Sequence, residues 1–311
     1  MPCESSVANG AHVVALFKHS RLSLVKRPRD LRGWGHNGAT RCVESVEAMA
    51  GAGEPLTEDP YAPLAPFYEL EFGPEEEDLA LFLGLARRTG GPLLDVGAGT
   101  GRVAVALARA GFEVVALDSS RAMLALARRK IRGALSRRLR LVRADVRDFQ
   151  LDERFCLAIV GDNTFAHMVT RQDQDLALRS LKAHLLSTGL LVIVLQNPYR
   201  LTLGPSQNEL VLVWEREGPG KGERTVKSTA TRVDYTDQVL HAHMWYDVTA
   251  SDGSVRRYAA KLTHRWFFRP ELELLLERAG FQAEAWYGSY DLEPYSGDSP
   301  LLIALAKNTG K

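Results

Sequence analysis

The chain has 311 residues, 45% hydrophobic and 25% charged, with a formal net charge of +1. Those proportions exclude wholesale disorder and a fibrous repeat, and the length suffices for one large domain carrying an insertion. No run approaches eighteen uninterrupted apolar residues, which excludes a helical membrane span, and the near-neutral charge gives no global attraction to nucleic acid or anionic lipid.

Residues 1–54 read as a poorly organised extension, because scattered apolar residues are interrupted by Gly10, Gly33, Gly35, Gly38, Gly51 and Gly53. Met49 offers a more natural beginning, so residues 1–48 are expected to contribute little to function. A helix is expected from Glu75 to Gly90, with Leu79, Leu81, Phe82, Leu85 and Ala86 on one side. Alternating units follow: strand Leu93–Val96, helix Arg102–Ala110, strand Glu113–Leu117, helix Ala122–Ile131 and strand Leu139–Val142. Then come strand Cys156–Val160, helix Gln172–Leu186 and strand Leu190–Leu195. This rhythm predicts a parallel sheet covered on both faces, and a core over residues 55–205.

After Pro198 the rhythm changes. Leu210–Trp214, Thr225–Tyr235, Gln238–Thr249 and Val255–Trp266 read as strands whose short connections demand antiparallel pairing, an insertion over residues 206–268. Helix Arg269–Ala279 and strands Gln282–Tyr287 and Leu301–Ala306 complete the α/β core over residues 269–311.

The most informative stretch is Asp95-Val96-Gly97-Ala98-Gly99-Thr100-Gly101-Arg102. An acid near a strand's end precedes a glycine turn that lets a ligand approach the backbone where a helix begins. The spacing is G-x-G-x-G, without the G-x-G-x-x-G that places a pyrophosphate at the helix start. S-adenosylmethionine (SAM) has no phosphate, and its ammonium and sulfonium favour an acid such as Asp95. Asp118 ends the second strand, where a carboxylate accepts both ribose hydroxyl protons, and Asp145 follows the third, where it accepts from the adenine amino group.

Together these motifs resemble the class I SAM-dependent methyltransferases, over roughly residues 61–307. The resemblance implies a doubly wound, Rossmann-like seven-stranded sheet with an antiparallel β insertion after the fifth strand. Gly161-Asp162-Asn163-Thr164-Phe165-Ala166-His167-Met168 and the run Gly189 to Pro198 resemble the glycine N-methyltransferase group and related small-molecule methyltransferases. It implies a SAM site built from Tyr68, Asp95, Gly97, Ala98, Gly99, Gly101, Arg102, Asp118, Ser119, Met123, Ala144, Asp145, Val146 and Asp162. It implies catalytic roles for His167 and for Tyr61 of an aromatic lid, and acceptor contacts from Asn163, Gln196, Asn197 and Tyr290. Where the glycine enzyme holds its substrate carboxylate with an arginine, this chain has Gln196, a neutral amide that supplies no charged clamp.

The expected activity is methyl transfer from SAM to an N or O nucleophile of a small molecule. The sequence keeps other classes open. The run Arg121–Arg147, with ten basic residues and one acid, is the only support for an RNA methyltransferase and reads first as a solvated face. A SAM-binding protein without turnover, or a nucleotide-dependent oxidoreductase lacking the usual glycine spacing, are the others. Arginine outnumbers lysine 30 to 9, which lowers the weight of any basic run. His241 and His243 share a strand face without a third ligand, and no metal site is expected. Cys3, Cys42 and Cys156 are too few and too scattered for a disulfide scaffold, a pattern that suits the reducing cytoplasm. The insertion is expected to form a lid or the surface of a homodimer.

Overall fold

The computed structural model describes residues 59–73, 77–199 and 209–310, so the N-terminal extension lies outside the described residues. Six α-helices are described: α1 Ala65–Phe72, α2 Leu79–Thr89, α3 Arg102–Arg109, α4 Arg121–Lys130, α5 Arg171–His184 and α6 Arg269–Arg278. The core strands are β1 Leu93–Val96, β2 Val114–Asp118, β3 Leu139–Arg143, β4 Phe155–Val160 and β5 Leu185–Gln196. The inserted strands are β6 Val211–Glu217, β7 Arg224–Asp234, β8 Val239–Thr249 and β9 Val255–Arg265, and β10 Phe281–Tyr287 and β11 Leu301–Asn308 follow.

A seven-stranded sheet has the order β3-β2-β1-β4-β5-β11-β10, with β11 antiparallel to both its neighbours. A separate four-stranded antiparallel sheet, β6-β7-β8-β9, is inserted after β5, as the sequence implied. The central strands are apolar on both faces because both are covered. Leu94, Val96, Ile193 and Leu195 face a layer that includes α5 and α6, whereas Leu93, Val192 and Val194 face α2 and α3. Alternation along each strand therefore builds two cores on one sheet. Side-chain caps start two of the flanking helices: Ser120 Oγ accepts from the Met123 amide at 3.1 Å, and Thr170 Oγ1 from the Asp173 amide at 3.1 Å.

Two local expectations shift. The helix expected from Glu75 begins at Leu79, with residues 74–76 outside the described set. Strand β5 starts five residues early, at Leu185 rather than Leu190, because α5 stops at His184 and Leu185 pairs at once with Phe155. His167 ends a 3₁₀ turn, Thr164–His167. The turn follows Asp162 and Asn163, whose φ of +48° and +62° place two consecutive non-glycine residues in the left-handed region. Asp and Asn are the side chains that tolerate this, and such strain clusters at functional sites.

Helix α1 is an addition that the sequence reading treated as an aromatic arm. Pro66 in its first turn was the available signal. Its Leu64 and Phe67 side pack on Met244, Tyr246, Val248, Ala260 and Leu262 of the inserted sheet. The arm thereby joins insertion to core, and the site lies beneath that joint.

Candidate active site

The glycine turn leaves β1 at the point where the strand order reverses between β1 and β4, the usual crevice of an open α/β sheet. Gly97, Gly99 and Gly101 all have positive φ. A side chain at Gly97 would collide with Thr164 of the 3₁₀ turn, so glycine there keeps β1 and β4 loops close.

Asp118 is oriented before any ligand arrives. Its Oδ2 accepts from the Gly99 amide at 2.7 Å and its Oδ1 from the Ser120 amide at 2.7 Å. Each oxygen retains a second lone pair, which is what two ribose hydroxyls require. Burial raises its pKa against those two bonds. Asp95 is buried, 3% exposed, and its Oδ2 has no hydrogen-bond partner among the described residues. Burial pushes its pKa up to about 7. An orphaned carboxylate oxygen beneath a glycine cradle fits the ammonium of SAM, and so the residues present fit that cofactor.

A crevice lined by Tyr68, Asp95, Gly97, Ala98, Arg102 and Asp162 opens beside the glycine turn. Arg102 is clamped bidentately by Asp78 at 2.5 Å and reaches Asp162 at 3.5 Å, which fixes its guanidinium at the wall of the crevice. Met123 is buried beneath, Ala144 donates its amide to the Asp118 carbonyl at 3.2 Å, and Val146 packs against the core. Ser119 is exposed and its carbonyl accepts from Arg143 at 3.2 Å. Asp145 departs from the expectation: Arg147 Nε and Nη2 hold its two oxygens at 2.9 and 2.6 Å. Those bonds lower its pKa, and Oδ2, with one donor, retains a second lone pair.

Beside this crevice lies a larger cavity. It unites Tyr61, Tyr68, Asp162, Asn163, His167, Gln196 and Tyr290, as the sequence reading implied. Tyr61 Oη stands 2.7 Å from His167 Nε2. Burial lowers the His167 pKa to about 4 and raises that of Tyr61, so the pair is uncharged near neutral pH. Asn163 also has a structural task, since its Oδ1 accepts from the Gln196 amide at 3.1 Å and fixes the end of β5 to the 3₁₀ turn.

Asn197 requires a correction. It is fully buried, and its Nδ2 donates to the carbonyls of Gly297 and Ser299 at 3.0 and 2.7 Å, while its Oδ1 accepts from Tyr295 Oη at 3.2 Å. It does not line the cavity. Asn197 ties β5 to the loop before β11, so its polarity is spent on backbone and not on an acceptor.

The inserted sheet supplies residues that the sequence reading missed: Lys227, Met244, Tyr246, Leu262 and His264, opposite Glu71 of α1. Lys227 Nζ forms an ion pair with Glu71, whose other oxygen accepts from Tyr246 Oη at 2.5 Å. Nothing local marks these positions. Their strand period reports an inward face, not what that face covers.

Three of the ten basic residues of the Arg121–Arg147 run form local ion pairs. Arg140 pairs with Glu153, Arg147 with Asp145 and Asp173, and Lys130 with Glu69. No cluster of three metal-ligating side chains occurs among the described residues, and no described helix is long and apolar enough to cross a membrane.

The fold and the SAM cradle define the class: the chain is a class I SAM-dependent methyltransferase. Residues 93–189 match the family described as a methyltransferase domain. The chain is 28% identical over 219 residues, 70% of its length and 84% of the relative's, to the cypemycin N-terminal methyltransferase of a Streptomyces species. It is 34% identical over 119 residues, 38% of its length and 45% of the relative's, to the dTDP-3-amino-3,6-dideoxy-alpha-D-glucopyranose N,N-dimethyltransferase of Streptomyces fradiae. Its fold superposes on the CcbJ methyltransferase of Streptomyces caelestis with a TM-score of 0.67 at 22% identity, covering 81% of this chain and 98% of that one.

Proposed function

We propose that the chain methylates an amine nitrogen of a small molecule with a largely uncharged body, such as an aminosugar or a natural-product intermediate. The observation that carries this reading is the Tyr61–His167 pair, 2.7 Å apart inside the cavity that adjoins the SAM crevice. When bound, SAM supplies a methyl group on a sulfonium leaving group, so the protein's task is placement, exclusion of water and removal of one proton. An amine arrives mostly protonated and must expose its lone pair. His167, held unprotonated by burial, accepts from the Tyr61 hydroxyl and thereby turns the Tyr61 oxygen lone pairs toward an acceptor N–H, which orients the neutral amine. Two of the relatives are named for an N-terminal methyl transfer and an N,N-dimethyl transfer, which supports N over O.

Leu64, Phe72, Val194, Met244, Leu262 and Leu301 make much of the wall apolar, and the Lys227 charge is paired with Glu71. Gln196 lines the cavity in place of a cationic clamp. Arg265 does not restore one, because Glu271 at 2.9 Å and the Asp237 carbonyl at 2.7 Å hold its guanidinium. A buried carboxylate without a cation costs several kcal/mol, roughly enough to suppress glycine or sarcosine by orders of magnitude. The test is a methyl-transfer assay with glycine, sarcosine, aminosugars and phenols. Aminosugar turnover is the expected result, and efficient turnover of glycine or phenols would overturn the reading.

Two further expectations belong here. A copy of the chain pairing through the insertion is supported by the exposed Leu212 on outer strand β6, and sedimentation of the purified protein tests it. The free Cys156 supports a reducing, cytoplasmic location, which fractionation of the source cell tests.

A further inference from the structure

Two cavities meet in this site, and Asp162 stands on the wall between them. Tyr68, Phe72, Asp78 and Asp162 line both the crevice beside the glycine turn and the acceptor cavity. Asp95, whose orphaned oxygen fits the SAM ammonium, lines the crevice and not the cavity, whereas Tyr61 and His167 line the cavity and not the crevice. A methyl group carried in the crevice meets a nucleophile in the cavity only at the shared wall. Two carboxylates stand there. Asp78 is 5% exposed and held bidentately by Arg102, whereas Asp162 is 27% exposed and reaches Arg102 at 3.5 Å.

The backbone around Asp162 is pinned. The Thr164 amide donates to the Gly161 carbonyl at 2.9 Å, and both residues between, Asp162 and Asn163, are left-handed, the pattern of a type I′ turn. The Asn163 amide donates to the Val194 carbonyl at 3.0 Å, and its Oδ1 accepts from the Gln196 amide at 3.1 Å, which ties the turn to β5. Asp suits such a turn, but Asn suits it equally, and only the acid adds a charge. That charge is felt by tyrosines of both cavities. Burial and then Asp162 raise the Tyr68 pKa, and burial, Asp118 and Asp162 raise that of Tyr61.

We infer that the Asp162 carboxylate holds the acceptor nitrogen at the shared wall, accepting an N–H of the neutral amine and stabilising the positive charge that forms on it. This rests on the amine reading above. The nitrogen lone pair forms the N–CH₃ bond, the C–S bond breaks with its electron pair going to sulfur, and the N–H bonds persist. The positive charge thereby moves from sulfur to nitrogen, and the methylated product leaves as an ammonium. A carboxylate fixed beside that nitrogen stabilises the charge as it develops, with no reorganisation at the moment of transfer. The same carboxylate repels a phenolate, so Asp162 selects amines over acidic oxygen acceptors.

Sinefungin, a SAM analogue with an ammonium-bearing carbon in place of the methyl-bearing sulfur, tests this without turnover, because it puts a cationic nitrogen at the transfer position. By calorimetry, the full chain should bind sinefungin about tenfold more tightly than S-adenosylhomocysteine. The D162N variant should reduce that preference to about twofold, with S-adenosylhomocysteine affinity within about threefold of the unmodified chain. No preference in the unmodified chain, or a preference that D162N leaves intact, makes Asp162 a turn residue and overturns this role. The D162G variant, whose backbone also accepts the left-handed conformation, should repeat the D162N result and covers a folding defect in either. In turnover, D162N should lower kcat for an aminosugar about thirtyfold, with the KM for SAM within about threefold; an unchanged kcat also overturns the role. If the unmodified chain methylates no amine, the proposed function fails, and the sinefungin comparison still decides whether Asp162 receives a cationic nitrogen.

Discussion

Glu71 on α1 and Lys227 on β7 form an ion pair buried between the arm of the core and the inserted sheet, with side chains 8% and 3% exposed. Burial lowers the Lys227 pKa, and the carboxylate opposes that shift. Tyr246 stacks on Phe67 with ring centroids 4.5 Å apart while donating to Glu71, so one contact joins polar and apolar parts of the same seam. The Lys227→Met variant leaves Glu71 buried and unpaired, at a cost of about 3–5 kcal/mol. Thermal denaturation should show a drop of several degrees, largely restored in Lys227→Met/Glu71→Gln; equal melting of the single and double variants would contradict the pairing.

Asp95 makes cofactor affinity depend on pH. Its folded pKa of about 7 lies above the ordinary 3.8, so the folded, cofactor-free chain binds the extra proton between those values. Stability from this group is therefore present at low pH and is lost as pH rises from about 4 to 7. An ammonium placed against Oδ2 favours the ionised form, so SAM affinity should rise with pH across about 6–7 and binding should release a proton. Calorimetry in buffers of different ionisation enthalpy measures that release. It should vanish in Asp95→Asn, and a proton count unchanged by that substitution would remove Asp95 from the cofactor site.

Asp118→Ala should weaken SAM binding about a hundredfold, the loss of two charge-assisted hydrogen bonds to the ribose. The Gly99 and Ser120 amides lose their acceptor as well. Titration calorimetry with S-adenosylhomocysteine checks this, and unchanged affinity would refute the ribose assignment.

Asn197→Ala should act on stability and not on acceptor choice. The substitution leaves the buried Ser299 carbonyl without its donor and releases the bond to Gly297, costing roughly 1–3 kcal/mol. Denaturant midpoints and the acceptor panel together separate the two roles. A changed acceptor ranking at unaltered stability would restore Asn197 to the substrate.

The sequence alone determined the parallel core, the glycine cradle and the cofactor. Those signals are local, because an acid, a tight turn and a helix start lie within eight residues, Asp95 to Arg102, and the turn's geometry demands its glycines. Even the insertion was legible, since short connections between alternating strands permit only antiparallel pairing. What the tertiary structure decided is which polar groups remain available. Asp145 and Asn197 sit where the motif pattern puts ligand contacts, yet Arg147 holds one and the loop before β11 surrounds the other. Conversely, Glu71, Lys227, Tyr246 and His264 come from segments up to 193 residues apart in sequence. They share one cavity because α1 packs beneath the inserted sheet. A strand's period states that a side chain faces inward. Only the packing of distant elements states what it meets there, and for a buried charge or imidazole that partner sets its chemistry.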